Sequence, residues 1–556
     1  MNNQLKTHFA LRSASALTAL VGIVNLLSAV TPSLPARNHW LKQFLPFEIR
    51  QNGHIFAALT GFILLTLATN LLRRKKAAWL LTIGLLIISI ISHLLKGWDY
   101  EESILCGILL CQLVFMRHVF TAKSDRPSIA RGVRVLIGAV IFTLAYGTIG
   151  FYLLDHKFSH DFNLLTAILQ TLAMFFTEDN WGLEPKTRFA IFFINSIYII
   201  AASTISFALL MLLQPVFLRY PATLKDHQKA QEIVEQYGHS SLAAFTLLSD
   251  KNYYFSPSGQ SIIAYVPKGR GAIALGDPIG PVTDREETII GFQQFCLLND
   301  WYPAFYQTLP DNIELYTSLG FKVIKIGEEA IIDLKTFTLQ GKAGKNFRPS
   351  IHRLTKLGYQ IQFYQPPISN DLLHKLKPVS DEWLKMLRSS EKRFSLGWFD
   401  EAYLRKYQIV VVYNSQGKIV AFANIVPGFG INEVTIDLMR YRPSIENGTM
   451  DFLFVSILQY FQNQGCEGFN FGLSALAGVG KTPESRRLER VLNYLYQHLN
   501  KFYNFKGLHA YKDKFRPRWE SRYLVYPSLT ALPDVVVALI RADSGDRLLD
   551  YFKPGT

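Results

Sequence analysis

The sequence predicts a multi-pass α-helical membrane domain followed by a water-soluble mixed α/β body. Apolar runs near 9–31, 54–72, 77–95, 101–120, 132–154 and 189–217 each approach the ~20 residues that span a bilayer core. Beyond Pro221 these runs stop, and short strands separated by Gly turns take over. The expected division is 1–220 in the membrane, 221–365 as a first soluble subdomain with a bridging helix, and 366–556 as a second.

Loop charges orient the first part. Arg73, Arg74, Lys75 and Lys76, then Arg117, Lys123, Arg126, Arg131 and Arg134, occupy alternate connections from Asp99, Glu101, Glu102, Asp155 and Asp161. Basic loops stay inside, so the N-terminus is expected in the cytoplasm. The first run reads as retained, since further spans follow it and no small-x-small cleavage site stands out. Arg37, Lys42 and Arg50 fall outside on this scheme, against the rule. The run 162–176 is short for a crossing and reads as re-entrant or interfacial, which returns the last span to the cytosolic side before Arg219.

Charge and cysteine content bound the partners. The chain carries 58 Lys and Arg against 43 Asp and Glu, a net +15, and about half of that excess falls beyond residue 218. Such a balance favours anionic headgroups, nucleic acid or both. Cys106, Cys111, Cys296 and Cys466 have neither metal nor disulfide spacing, so buried thiols in a reducing cytosol and no metal are expected.

In the soluble part, 225–249 reads as a helix, a break at Gly238 and a second helix. A diverged repeat follows. Tyr254 to Gly259, IIAYV and GAIALGDP match Val412 to Gly417, IVAFANIV and NEVTIDLMR as strand, Gly turn, strand, strand. Each half is then expected to add a helix and a closing strand, DNIELYTSLG with FKVIKIGEEAIIDL and MDFLFVSILQYFQNQG with GFNFGLS, stopped at Gly320 and Gly465.

The strings YYFSPSGQSIIAY, IALGDPIGP, YPAFYQ, LYTSLGFKVIKIGEEAIIDL, FSLGWFD, IDLMRYRP, NGTMDFLF, FNFGLS and FYNFKGLHAYKDKF resemble the C-terminal domain of the phosphatidylglycerol lysyltransferase and alanyltransferase family, the multiple peptide resistance factors. The resemblance runs almost continuously from about Tyr253 to Tyr526. It implies tandem GNAT-type acyltransferase folds on a membrane anchor, which move an aminoacyl group from charged tRNA to the glycerol hydroxyl of phosphatidylglycerol without a cofactor. The product lipid lowers membrane negative charge and gives resistance to cationic antimicrobial peptides. Larger members carry further N-terminal helices associated with flipping that product; the segments here match those next to the synthase, so a synthase alone is expected. The choice of lysine or alanine, and self-association, stay open.

Transfer between esters needs a hydroxyl relieved of its proton, a donor carbonyl held beside it and a place for the oxyanion. In Ile436 to Arg440 a regular strand would put Asp437 and Met439 on one face and Leu438 and Arg440 on the other. Asp437 is the candidate to hold the α-ammonium or act as base, with Arg440 and Arg442 facing phosphate; a structural ion pair is the bland reading. Gly448 and Thr449 open a helix whose amides suit an anion, though a single Gly supports a coenzyme A grip poorly. From Tyr511 to Tyr523, Lys512 and Lys514 would share a strand face. Tyr511 would stack on a base or line an acyl tunnel, Lys512 and Arg522 would meet phosphate or oxyanion, and Glu520 would orient them, against a merely solvated basic edge strand. Glu329, flanked by apolar residues, is a candidate buried carboxylate, and Tyr306 a cleft or core residue.

Lys345, Arg348, Arg353 and Lys356 mark the bridging helix and suit an RNA backbone, with Arg486 and Arg487 extending the surface. Solvated charge is the bland alternative. A coenzyme A-dependent lipid acyltransferase and a non-catalytic lipid-binding protein are the rival classes.

Overall fold

The computed structural model describes residues 2–30, most of 60–122, scattered positions from 137 to 198 that include 163–176, then 222–479 apart from 343, 388 and 389, and 505–547. The chain divides into two compact units, 1–216 with 297–300, and 217–296 with 301–556. Most of the expected spans at 132–154 and 189–217 lie outside the described residues.

The first unit contains helices α1 (Asn2–Val30), α2 (Lys76–Gly97), α3 (Tyr100–Phe115) and α4 (Leu164–Phe176). Among the described residues no helix is long and apolar enough to cross a membrane. Leu11, Val21, Leu64, Leu67, Leu86 and Leu109 form the unit's buried core, yet polar side chains are buried and aliphatic ones exposed beside it. Ile87, Ile91, Ile104 and Ile108 face outward, whereas Asn25, Ser89 and His93 are fully buried. Asn25 Nδ2 donates to Ser89 Oγ (2.7 Å) and Thr60 Oγ1 (3.2 Å), and Asn25 Oδ1 meets His93 Nε2 at 3.0 Å.

The second unit opens with α5 (Leu224–Tyr237), capped by reciprocal bonds between Thr223 and Asp226. The expected second helix is only a 3₁₀ stretch, Ala243–Leu247. There follow β1 (Asn252–Phe255), β2 (Ile262–Lys268), β3 (Gly271–Leu275), α6 (Arg285–Leu298), β4 (Tyr302–Thr308), α7 (Ile313–Ser318) and β5 (Lys322–Asp333). After α8 (Arg348–Lys356) come β6 (Gln360–Tyr364), α9 (Asn370–Met386), α10 (Glu401–Leu404), β7 (Gln408–Tyr413), β8 (Ile419–Pro427), β9 (Glu433–Tyr441), α11 (Thr449–Asn463) and β10 (Gly468–Ala475). The final elements are α12 (Phe505–Asp513), β11 (Arg518–Tyr526) and α13 (Leu532–Asp543).

The eleven strands among the described residues form one sheet in the order β1-β2-β3-β4-β11-β5-β10-β9-β8-β7-β6. The repeat is real, with a shifted correspondence. β1 to β3 are antiparallel and β4 joins β3 in parallel, as β7 to β9 are antiparallel and β10 joins β9 in parallel. The element matching α11 and β10 is therefore α6 and β4, not α7 and β5 as the sequence spacing suggests. A parallel neighbour needs a crossover connection, which the 14-residue α6 supplies and the six-residue α7 does not. The closing strands are exchanged. β5 leaves the first half to pair with β10, β11 leaves the second to pair with β4, and the two pair with each other from Arg518↔Ile331 to Tyr526↔Lys322.

Both faces are covered. Val410, Val412, Phe469 and Phe471 pack in the core beneath α8, α11 and α12, while Ile409, Val411, Phe422 and Leu438 join Leu372 and Leu376 of α9 on the other face. Alternate residues of β7 thus serve opposite cores, as in a central strand. Gly320 and Gly465, the expected helix stops, have φ of 87° and 80°.

Candidate active site

β9 is irregular at its charged residues. Ile436 pairs with Ile425 and Met439 with Ala423, so Asp437 and Leu438 together face the single residue Asn424, forming a β-bulge. Asn424 Oδ1 accepts the Leu438 N–H at 2.7 Å. Ile436 and Met439 both pack in the core beneath α11, and Leu438 in the core beneath α9. The extra residue therefore brings Asp437, Leu438 and Arg440 to one face, correcting the regular alternation that would separate Asp437 from Arg440.

Asp437 is partly accessible, and its carboxylate is held twice. Oδ1 accepts the Gly397 N–H at 2.9 Å and Oδ2 accepts the Tyr403 hydroxyl at 2.7 Å. Burial pushes its pKa up to about 6, against the opposing pull of Tyr403, Gly397 and Arg440. Arg440, almost fully buried, makes a two-pronged bond to Glu391 (3.0 and 2.6 Å), donates to Ser380 Oγ (2.8 Å) and lies 4.9 Å from the Trp383 ring centroid. Glu391 also accepts the Phe399 N–H at 3.2 Å. Arg440 thus braces the segment over Asp437.

A second group gathers where β5 runs between β11 and β10. Glu329 and Arg522, 2% and 4% exposed, form an ion pair, and Glu520 adds a contact to Arg522 at 3.3 Å. Glu329 and Arg522 line a cavity of about 90 Å³ with Asp277, Gln307 and Ser240. Gln307 is 5% exposed and left-handed (φ 66°), a conformation that non-glycine residues rarely adopt away from functional turns. Lys512 Nζ donates to the carbonyls of Gly472 (2.9 Å) and Leu473 (3.1 Å). β9 and β10 pair only through 433–435 and 468–470, so these carbonyls belong to the part of β10 that has parted from β9. Burial lowers the Lys512 pKa to about 8, with nearby Glu329 opposing.

Several predicted residues have other surroundings. Tyr511 to Asp513 end α12, so Lys512 and Lys514 do not share a strand face; β11 begins only at Arg518 and lies inside the sheet, which rules out an edge strand. Lys514 clamps Asp451 at 2.8 and 3.0 Å, and Tyr511 packs among Phe454 and Phe515. Arg442 pairs with Glu382 of α9 and donates to the Ile419 carbonyl at 2.8 Å. Gly448 (φ 84°) begins α11 directly against Ser350, where a Cβ would come within 2.6 Å, and Thr449 Oγ1 donates to the Glu446 carbonyl. Tyr306 packs at a tilt against Phe394 with ring centroids 5.9 Å apart. Lys345, Arg348, Arg353 and Lys356 are exposed, with Arg348 also donating to the Leu339 and Gly341 carbonyls and Arg353 to that of Asn447. Arg486 and Arg487 lie outside the described residues.

Sequence reasoning missed Gly397, Tyr403 and Glu391. The signal lay in FSLGWFD, where a lone Gly stands among aromatic residues. A Cβ at Gly397 would come within 2.1 Å of Asp437 Oδ2.

Two strand-exchanged α/β halves presenting a half-buried carboxylate on a bulged strand define the class. The chain belongs to the family described as "Phosphatidylglycerol lysyltransferase, C-terminal", whose model matches residues 231–526. It is 29% identical over 527 residues to the phosphatidylglycerol lysyltransferase of Bacillus subtilis (strain 168), covering 92% of this chain and 57% of the relative. To the phosphatidylglycerol lysyltransferase of Staphylococcus haemolyticus it is 35% identical over 306 residues, 55% of this chain and 36% of the relative. It therefore spans only part of the length of these relatives. The solved structure of L-PGS from Bacillus licheniformis is similar over 59% of this chain and 100% of its own, at 35% identity and TM-score 0.53.

Proposed function

We propose that this protein is a membrane-anchored, tandem GNAT-type aminoacyltransferase that moves lysine or alanine from its tRNA ester to the glycerol hydroxyl of phosphatidylglycerol. Asp437 carries the reading: a partly accessible carboxylate with a pKa near 6, on a bulge of a strand that parts from its parallel neighbour. Just below neutral pH is where a general base works best. The glycerol oxygen attacks the aminoacyl carbonyl and its proton passes to Asp437. The bond to the tRNA ribose oxygen breaks, that oxygen takes up the proton, and one ester replaces another. Lys512, fixed by two carbonyls, retains an N–H for the developing oxyanion. Glu329, ion-paired with Arg522, lies close enough to Lys512 to favour its charged form.

The exposed cations of α8 support contact with the tRNA backbone. Outward Ile and inward Asn, Ser and His in the first unit support a lipid environment, hence a bacterial inner-membrane location with the second unit in the cytosol, where charged tRNA is found. Coenzyme A is disfavoured at the start of α11, because Ser350 and Arg353 already engage that turn. Neutralising phosphatidylglycerol with an aminoacyl group would reduce attraction of cationic antimicrobial peptides.

The test supplies membranes containing the full chain with individually radiolabelled aminoacyl-tRNAs and phosphatidylglycerol vesicles. A labelled aminolipid formed without coenzyme A is expected; strict dependence on coenzyme A would overturn the assignment.

A further inference from the structure

Phe394 sits in the segment that covers Asp437, with a left-handed φ of 66° although it is bulky and fully buried. Both polar groups of its backbone are gripped from the first half of the sheet domain. Its N–H donates to Asp250 Oδ2 at 3.0 Å, and its carbonyl accepts from Lys251 Nζ at 2.8 Å. Lys251 is completely buried, its ammonium ion-paired with Asp250 and 5.2 Å from the Phe394 ring centroid. Burying an ammonium is unfavourable unless its bonds are made, and here they are made to the adjacent Asp250 carboxylate and the distant Phe394 carbonyl. The preceding residues are also tied: Arg393 N–H donates to the Asp543 carbonyl at 2.9 Å, and Lys392 Nζ lies 3.3 Å from the Asp543 carboxylate. Three residues beyond Phe394, Gly397 delivers its N–H to Asp437.

We infer that the Asp250–Lys251 pair is a positioning device for Asp437, acting across the pseudo-repeat through the backbone of 394–397. The inference rests on Asp437 being the reacting carboxylate. Asp250 and Lys251 touch neither Asp437 nor a substrate position; they set where the Gly397 N–H stands. The groups that face Asp437 are the Tyr403 and Tyr407 hydroxyls, the Gly397 N–H, and the charges of Arg440 and Glu391.

The test uses the full chain in membranes or detergent, with Lys251→Met and Asp250→Asn. Three readouts are taken: transfer kinetics against pH, KM for both substrates, and amide exchange across 392–400. Lys251→Met is expected to lower kcat about tenfold with little change in KM. It should speed exchange at Gly397 and move the acid limb of the rate profile to lower pH, since burial dominates the upward shift of Asp437 and a loosened cover admits water. Asp250→Asn keeps an acceptor for the Phe394 N–H and is expected to change each readout less, in the same direction. A folded Lys251→Met protein with unchanged Gly397 exchange and an unmoved limb overturns the inference. If Lys251→Met does not fold, the same two null results in Asp250→Asn overturn it. Should Asp437→Asn stay fully active, the catalytic reading fails and takes the inference with it. With Asp437→Asn inactive and the two clamp variants unchanged, the inference alone fails.

Discussion

Asp437 is held in a state that weakens folding and suits the reaction. Its folded pKa of about 6 exceeds its ordinary 3.8, so between these values the native chain binds more protons than the unfolded chain. Stability therefore falls as pH rises through that window, by about 3 kcal/mol at most. Asp437→Asn should lack this slope in urea titrations at stepped pH, and should lose transfer by about a hundredfold or more while remaining folded. Lys512 gives the opposite sign. Its folded pKa of about 8 lies below the ordinary 10.5, so the unfolded chain binds more protons between them and stability rises with pH across that range. If Lys512 meets the oxyanion as proposed, Lys512→Met is expected to lower kcat about a hundredfold with KM nearly unchanged, because the contact removed would form only in the transition state. Asp437 was legible in the sequence as a charge in an otherwise apolar strand, and Lys512 as one member of a dense basic and aromatic run. Tyr403 was not, because an aromatic residue 34 positions from its carboxylate reads as core.

At the scale of elements, the segment over β9 and the basic helix α8 make separate demands. Gly397→Ala would put a methyl group within 2.1 Å of Asp437 Oδ2, forcing the segment or the carboxylate to move. Transfer should fall at least about tenfold with a stability loss of about 1–3 kcal/mol, separable by assaying activity and denaturant midpoint together. On α8, Arg348 and Arg353 also bond to backbone carbonyls. Lys345 and Lys356 are therefore the cleaner probes of RNA contact. Changing both to Ala should weaken tRNA binding and flatten its dependence on salt in filter-binding titrations, since fewer counterions are released. The strands of each half were visible as apolar alternation and Gly turns. The β9 bulge was not, because it depends on which residue of β8 lies opposite and on the Asn424 side chain.

For the whole molecule, exchange of β5 and β11 makes the two halves of the sheet domain interdependent. Residues 222–356 produced alone would expose the edge of β4 that β11 covers and leave β5 without either neighbour. That fragment and 357–547 should each be insoluble or molten alone and recover a common fold when co-expressed, as read by co-purification and near-ultraviolet circular dichroism. A stable, well-ordered single half would contradict this.

The sequence alone determined the repeated strand-turn-strand pattern, the left-handed glycines at helix ends and the family. These depend on composition and neighbours a few residues apart, where backbone sterics and hydrophobic periodicity act. Only the tertiary structure decided that α6 and β4 answer to α11 and β10, that closing strands trade places, and that Asp437 and Arg440 share a face. It also decided that Arg440 and Arg442 bind carboxylates of the protein. Those outcomes turn on register and on partners tens to hundreds of residues away, and a single added residue in one strand reverses the face of every side chain beyond it.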